Sequence, residues 1–174
     1  MFAVTERLLL RPGWIEDAPA LTAAIGDREI ARNLTRVPWP YRLADAEAFL
    51  EQPSQPTRPK FMICRRSDHR LIGGIGLSAD IEAELGYWIA RDHWGRGYAT
   101  EAGRAVLALA DSSLRLPRIR ARRAADNAAS ANVLRKLGFH PTGKKTWSAS
   151  LARGPIETCL YVREREEGPQ ALAA

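Results

Sequence analysis

Apolar positions recur along this chain with two periods, and the switches between them mark its elements. Between Trp14 and Gly26, the residues Ile15, Ala18, Leu21 and Ile25 fall on one helical face. Further helices are predicted over Ala44–Glu51, Gly97–Leu114 and Ala128–Leu137; in the longest, Ala102, Val106, Leu109 and Ala110 form one stripe. Strands are predicted over Thr5–Arg11, Phe61–Arg65, Leu71–Leu77, Glu82–Ile89, Arg118–Ala124, Thr142–Leu151 and Ile156–Val162. Alternation in Glu82–Ile89 puts Ala83, Leu85, Tyr87 and Ile89 on one face and Glu84, Gly86 and Trp88 on the other. The order is β-α-α-β-β-β-α-β-α-β-β, an α/β domain with a mixed sheet.

The punctuation agrees with this order. Pro53, Pro56 and Pro59 make Gln52–Lys60 a loop. Asn127 can cap the helix that follows it, Ser130 falls at its third position, and Gly138 permits a left-handed stop. Arg135 and Lys136 lie in its last turn, where positive charge complements the dipole.

Composition narrows the class. A chain of 174 residues suits one domain, assigned here to residues 1–163, with 164–174 as a solvated, frayed tail beginning around Arg163. With 45% hydrophobic and 26% charged residues it reads as globular rather than disordered. No apolar run approaches the roughly 20 residues that cross a bilayer. The start of the chain lacks the basic, apolar and small-residue regions of a secretory signal. The expected location is the cytoplasm, with no membrane partner. Cys64 and Cys159 show neither disulfide density nor zinc spacing, so two reduced thiols and no metal are expected.

The net charge of +6 raises the question of an anionic partner. Arg118, Arg120, Arg122 and Arg123, with Ile119 and Ala121 between them, read as one solvated strand face. They lack interleaved aromatics and any nucleic-acid-reading motif, which disfavours a nucleic-acid-binding domain. A small polyphosphate ligand accounts for the charge more economically.

The segment E-L-G-Y-W-I-A-R-D-H-W-G-R-G-Y-A-T-E-A, Glu84 to Ala102, points to that ligand. A strand runs through a turn containing Gly95 and Gly97 straight into a helix. Glycine lets backbone approach a ligand closely, and the first helical amides have no internal partner. A pyrophosphate fits the amides from Gly95 to Thr100, with Arg91, His93 and Arg96 adding charge around it. An ordinary tight turn that starts a helix is the plainer alternative. The third glycine of a dinucleotide fingerprint is absent.

The turn W-G-R-G-Y-A resembles the signature of the GNAT superfamily of N-acetyltransferases, with Gly97 and Ala99 in place and Trp94 where Gln or Arg is usual. T-E-R-L-L-L-R near the start, G-Y-W-I before the turn and N-A-A-S-A-N-V-L-R-K-L-G-F after it are similar to the branch that includes ribosomal-protein N-terminal acetyltransferases. The resemblance spans Thr5 to Val162. It implies a splayed central sheet and acetyl-CoA as co-substrate. Backbone groups of Trp88, Ile89 and Arg91 would meet pantetheine, and Trp94, Gly95, Arg96, Gly97, Tyr98, Ala99 and Thr100 would hold the pyrophosphate. Asn127 would reach pantetheine, and Arg135 or Lys136 would approach adenosine, unless they serve only the helix dipole.

For direct attack of an amine on the thioester, the candidates for the base are Glu84, directly or through water, and Glu157 on a late strand; the alternative for Glu84 is an exposed strand carboxylate. The tyrosine that many relatives use as acid is replaced by Leu134. Ser130, one helical turn before it and able to face the cleft with it, resembles the serine that the ribosomal branch places near the sulfur. It is the expected proton donor or water anchor, the alternative being a plain role in the first helical turn. Arg36, Trp39 and Tyr41 would border the acceptor, Arg36 facing a carboxylate; the alternative is a proline-fixed loop packing its aromatics on the body. The expected activity is acetyl transfer to a primary amine: a protein N-terminus, an amino acid or a small amine. The rival is a non-catalytic acetyl-CoA-binding module or sensor. A homodimer is compatible with either.

Overall fold

The computed structural model describes residues 1–53, 55–79 and 82–165. The elements are β1 Ala3–Val4, β2 Leu8–Arg11, α1 Ala18–Ile25, α2 Arg28–Ala31, α3 Leu43–Leu50, β3 Lys60–Arg65, β4 Leu71–Ala79 and β5 Ala83–Ile89. They continue with α4 Tyr98–Leu109, β6 Arg118–Ala124, α5 Ala128–Lys136, β7 His140–Ser150 and β8 Gly154–Glu164. The strands form one eight-stranded sheet in the order β1-β2-β3-β4-β5-β6-β8-β7, antiparallel throughout except for β5 beside β6.

Strand alternation divides the core. Leu8, Leu10, Phe61, Ile63, Leu85 and Ile89 join Val106, Leu107, Leu134 and Leu137 of α4 and α5 and the turn that follows on one face. Met62, Cys64 and Leu71 join Leu21 and Ile25 of α1 and Ala46 of α3 on the other. The predicted alternation of β5 holds: Leu85 and Ile89 pack in the first cluster, and Trp88 packs against the second.

Several boundaries differ from the sequence reading, and the larger differences have local reasons. The strand predicted over Thr5–Arg11 is a hairpin, because the Thr5 amide donates to the Leu8 carbonyl at 2.9 Å and the Thr5 hydroxyl accepts from the Leu8 amide at 3.0 Å. The helix predicted from Trp14 opens as a 3-10 turn over Ile15–Asp17 and becomes α-helical at Ala18, with Pro19 in the first turn, where its missing N–H costs nothing. The long helix predicted to Leu114 is regular only to Leu109, and Ala110–Leu114 widens into a π turn. There the Asp111 carboxylate takes both ends of the Arg163 guanidinium, at 2.9 and 2.6 Å. Arg163 and Glu164 thereby belong to β8 rather than to a frayed tail, and residues 166–174 lie outside the described residues. The short α2 was not predicted; its cap is Asp27, whose side chain accepts from the Glu29 amide at 2.7 Å.

The feature that positions the site is the contact between β5 and β6. Their parallel pairing covers only Glu84 with Arg120 and Leu85 with Ala121. Past that point β5 stays bonded to β4 as far as Ile89, and β6 stays bonded to β8 as far as Ala124, so the two strands splay. The Ala90 amide donates to the Ile72 carbonyl on the β4 side. By alternation, the backbone groups of Tyr87 and Ile89 point the other way, into the gap. Arg118 and Arg122 of β6 are exposed and Arg120 half-buried, with Ile119 and Ala121 buried between them, and the solvated face carries ion pairs. Arg120 pairs with Glu82 at 2.8 Å, and Arg122 pairs with Glu84 at 2.8 Å across the base of the splay.

Cys64 is buried and Cys159 half-buried, both as free thiols. No helix among the described residues is long and apolar enough to cross a membrane.

Close approach of β4 to β5 depends on Gly73, where an added Cβ would stand 2.4 Å from the Trp88 carbonyl oxygen. Gly73→Ala is expected to destabilise the fold by about 1–3 kcal/mol through overpacking against backbone that cannot give way. A urea unfolding midpoint equal to the wild type's would contradict this account.

Candidate active site

The splay opens into a cleft of about 1050 Å3 that runs from the glycine turn to the β7–β8 hairpin. Its lining gathers residues from β5, the turn, the starts of α4 and α5, the loop after α2, and the hairpin.

At one end the glycine turn is built as the sequence suggested. Gly95 and Gly97 both have positive φ, 73° and 80°, a region closed to most side chains. Gly97 is the N-cap of α4, and the Glu101 amide closes the first helical bond to its carbonyl at 3.0 Å. The amides of Tyr98, Ala99 and Thr100 therefore precede any intrahelical bond, and all three residues line the cleft with Gly95 and Gly97. An anion fits there by both hydrogen bonding and helix dipole.

The charges expected around that turn are arranged differently. Arg91 leans on Asp27 at 3.5 Å and is absent from the lining, as is the Arg96 side chain. His93 is buried, and its ring nitrogens have no partner among the described residues. Burial, together with Arg65, Arg70 and Arg96, pushes its pKa below the ordinary histidine value, so it adds no positive charge at neutral pH. Trp94, the departure from the usual signature, donates its indole N–H to the Ile89 carbonyl at 2.6 Å. That bond ties the turn to the end of β5 and takes the Ile89 carbonyl, leaving the Ile89 amide and the backbone of Tyr87 to face the gap. The Trp88 amide, by the same alternation, belongs to the β4 ladder and not to the cleft.

Across the gap stands the start of α5. The Asn127 side chain caps it by accepting from the Ser130 amide at 3.0 Å. Asn127, Ser130 and Lys136 line the cleft; Arg135 does not. Leu134 is fully buried in the first core cluster, so it does not share the cleft-facing side with Ser130. Ser130 meets a partner that the sequence reading passed over. The Tyr87 hydroxyl lies 2.8 Å from Ser130 Oγ and 3.3 Å from its carbonyl oxygen. Burial pushes the Tyr87 phenol up to about 12, despite the opposing Ser130 contact. A signal was available: a tyrosine on a core-facing strand position needs a partner for its hydroxyl.

At the far end, Glu84 lines the cleft with both carboxylate oxygens held by Arg122 Nε, at 3.1 and 3.0 Å. Glu157 instead pairs with Lys145 at 2.9 Å outside the cleft lining. Arg36 lines the cleft with Leu34, Thr35 and Val37. Trp39 and Tyr41 do not; Tyr41 packs on the second core cluster, where burial, helped by Asp45, pushes its phenol up to about 12. The opposite wall is the β7–β8 hairpin. Ser150 Oγ donates to the Arg32 carbonyl at 3.4 Å, and Asp126 takes Arg153 in two bonds of 2.7 and 3.0 Å. Hydrogen bonds from Arg153 hold the Asp126 carboxyl below the usual range. Among the described residues, no group of three His, Cys, Asp or Glu side chains gathers as a metal site would require.

This architecture is shared with known proteins. The profile of the acetyltransferase (GNAT) domain matches residues 7–140. An uncharacterised N-acetyltransferase from Bacillus subtilis, YoaA, is 34% identical over 173 residues, covering 93% of this chain and 97% of its own length. A GNAT-family acetyltransferase from Bacillus anthracis superimposes with a TM-score of 0.84 at 22% identity, over 96% of this chain and 100% of its own. The ribosomal-protein-S5-alanine acetyltransferase from Vibrio fischeri gives a TM-score of 0.81 at 18% identity, over 96% of this chain and 98% of its own. Profile, relative and fold agree with the glycine turn and the open seam, and the chain belongs to the GNAT family of acetyltransferases.

Proposed function

We propose that the protein transfers an acetyl group from acetyl-CoA to a primary amine by direct attack in the cleft between β5 and β6. The observation that carries this reading is the junction of two features in one cleft: the strand backbone of Tyr87 and the amide of Ile89, which face the gap outside the sheet ladder, and the bare amides at the start of α4. The first suits an amide-bearing arm that pairs like an added strand; the second suits a pyrophosphate.

In this reading Gly95, Gly97, Tyr98, Ala99 and Thr100 bind the pyrophosphate through backbone. Pantetheine lies along β5, with Asn127 across from it. The Ile89 amide polarises the thioester carbonyl as charge develops on its oxygen. The amine enters from the other end, between the Arg36 loop and the β7–β8 hairpin. Arg122 already occupies both oxygens of Glu84, so Glu84 takes the ammonium proton through water. The nitrogen attacks the carbonyl carbon, the carbon–sulfur bond breaks, Ser130 delivers a proton to the departing thiolate, and the proton that the acylated nitrogen sheds returns through water to Ser130 Oγ. Tyr87 and Ser130 Oγ are hydrogen-bonded and either hydroxyl can donate; when the phenol donates, the serine's own hydrogen is turned toward the cleft. Because its phenol is pushed up to about 12, Tyr87 orients the serine and stays protonated.

The Tyr87–Ser130 pair favours a catalyst over a binding module, because a sensor has no use for an oriented hydroxyl beside the thioester. Acetyl-CoA-dependent thiol release across a library of N-terminal peptides, amino acids and polyamines tests the reading. Binding of acetyl-CoA without release for any amine would support the sensor.

Three substitutions probe the assignments. Gly97→Val forces a β-branched residue into positive φ and should raise the dissociation constant for CoA roughly tenfold or more, while the protein stays folded; unchanged affinity in calorimetry would remove the pyrophosphate from the turn. Glu84→Gln should depress turnover most at low pH, where the acceptor is an ammonium, and leave cofactor affinity alone; a pH–rate profile superimposable on the wild type would exclude Glu84. Ser130→Ala should cost about a hundredfold in kcat with little change in KM for acetyl-CoA, Tyr87→Phe a smaller factor of the same kind, and the double variant no more than Ser130→Ala alone. Losses that simply multiply would show that the two hydroxyls act separately.

A further inference from the structure

The tip of the β1–β2 hairpin, Thr5-Glu6-Arg7, is the part of the T-E-R-L-L-L-R motif that neither the core nor the cleft explains. Its side chains reach the far side of the glycine turn. Glu101, in the first turn of α4, accepts from the Thr5 hydroxyl at 2.6 Å, the Arg7 amide at 2.9 Å and Arg7 Nε at 2.7 Å. Arg7 Nη1 then donates to the Arg96 carbonyl at 3.0 Å, and its guanidinium covers the Tyr98 ring at 4.6 Å from the centroid.

The Arg96 carbonyl belongs to the same peptide unit as the Gly97 amide. In a trans peptide the C=O and N–H point in opposite directions. Drawing the carbonyl toward Arg7 therefore turns the Gly97 N–H away from Arg7. Of the two dihedrals that set this unit's orientation, one is φ of Gly97, at 80°, where no side chain restrains the backbone. Arg7 has a second effect. Glu101 is an anion at the start of α4, close to where a second anion is to bind. Burial alone would raise its pKa, but the Thr5 hydroxyl and the Arg7 amide and guanidinium outweigh this and keep it charged. The guanidinium neutralises that charge within the clasp.

We propose that Arg7 is a positioning residue for the cofactor pyrophosphate: it orients the Arg96–Gly97 peptide so that the Gly97 amide faces the anion, and it shields that anion from Glu101. The role rests on the pyrophosphate reading of the turn. Thr5 and Glu101 serve by holding Arg7 in place. Lysine cannot replace the fork, since one ammonium cannot span the Glu101 carboxylate and the Arg96 carbonyl in the same way.

The test is a protein-observed NMR titration of the wild type, Arg7→Gln, Arg7→Lys and Thr5→Val with CoA and with pantetheine, which lacks the pyrophosphate. Both arginine variants should bind CoA roughly tenfold more weakly, as expected for losing a charge-assisted bond, and pantetheine as the wild type does. The shift of the Gly97 amide on CoA addition should shrink in both. Thr5→Val, which loosens the clasp and keeps Arg7, should give a smaller loss in the same direction and serves if the arginine variants fold poorly. Unchanged CoA affinity, or equal losses for CoA and pantetheine, would overturn the role of Arg7. A wild type that binds CoA no more tightly than pantetheine would instead overturn the pyrophosphate reading beneath it.

Discussion

Everything at the site follows from a seam that the sheet leaves open. β5 and β6 are each held firmly by their other neighbour, yet they share only two residue pairs before parting. Unpaired backbone inside a protein is costly, and a sheet normally closes such a gap. Here the strands are tied together only at the base of the gap. Glu84 of β5 clasps Arg122 of β6, and Glu82 just before β5 clasps Arg120. Beyond these ties, α4 and α5 pack on the sheet and bring their N-termini to the opening. The seam thus offers strand-like hydrogen bonds along one wall and helix amides at one end.

The two helix starts are prepared for different tasks. α5 is satisfied internally: Asn127 caps it and Ser130 is engaged with Tyr87. α4 begins with Gly97, which has no side chain to cap anything, so its first amides remain available. An available helix start is less stable than a capped one. The surrounding structure compensates with contacts from outside the turn: Trp94 to Ile89 on one side and Arg7 to Arg96 on the other. The turn is held by hydrogen bonds to residues outside it.

The end of the cleft away from the glycine turn is built from elements far apart in the chain. The α2 region and the β7–β8 hairpin meet through Ser150 and Arg32, with Arg153 and Asp126 alongside. These contacts link the two sides of the cleft at the end away from the glycine turn. The loop bearing Trp39 and Tyr41 contributes packing rather than lining, because its aromatic Tyr41 finds the apolar cluster over α1 and α3.

Periodicity, glycine placement and cap residues determined most of the fold on their own. The two faces of β5, the bounds of β6, the capped start of α5 and the left-handed Gly138 all stand as the sequence indicated, since each depends on residues within a few positions of one another. The glycine turn was legible for the same reason. Only the tertiary structure decided how the site is wired. Tyr87 looked like a core residue until Ser130, 43 positions on, met its hydroxyl. Glu84 looked like a free carboxylate until Arg122 took it, and Leu134 looked like a cleft residue until it was seen buried. A hydrophobic pattern reports which side of an element is apolar. Hydrogen bonds and ion pairs between distant elements depend on register and approach, which no local pattern encodes.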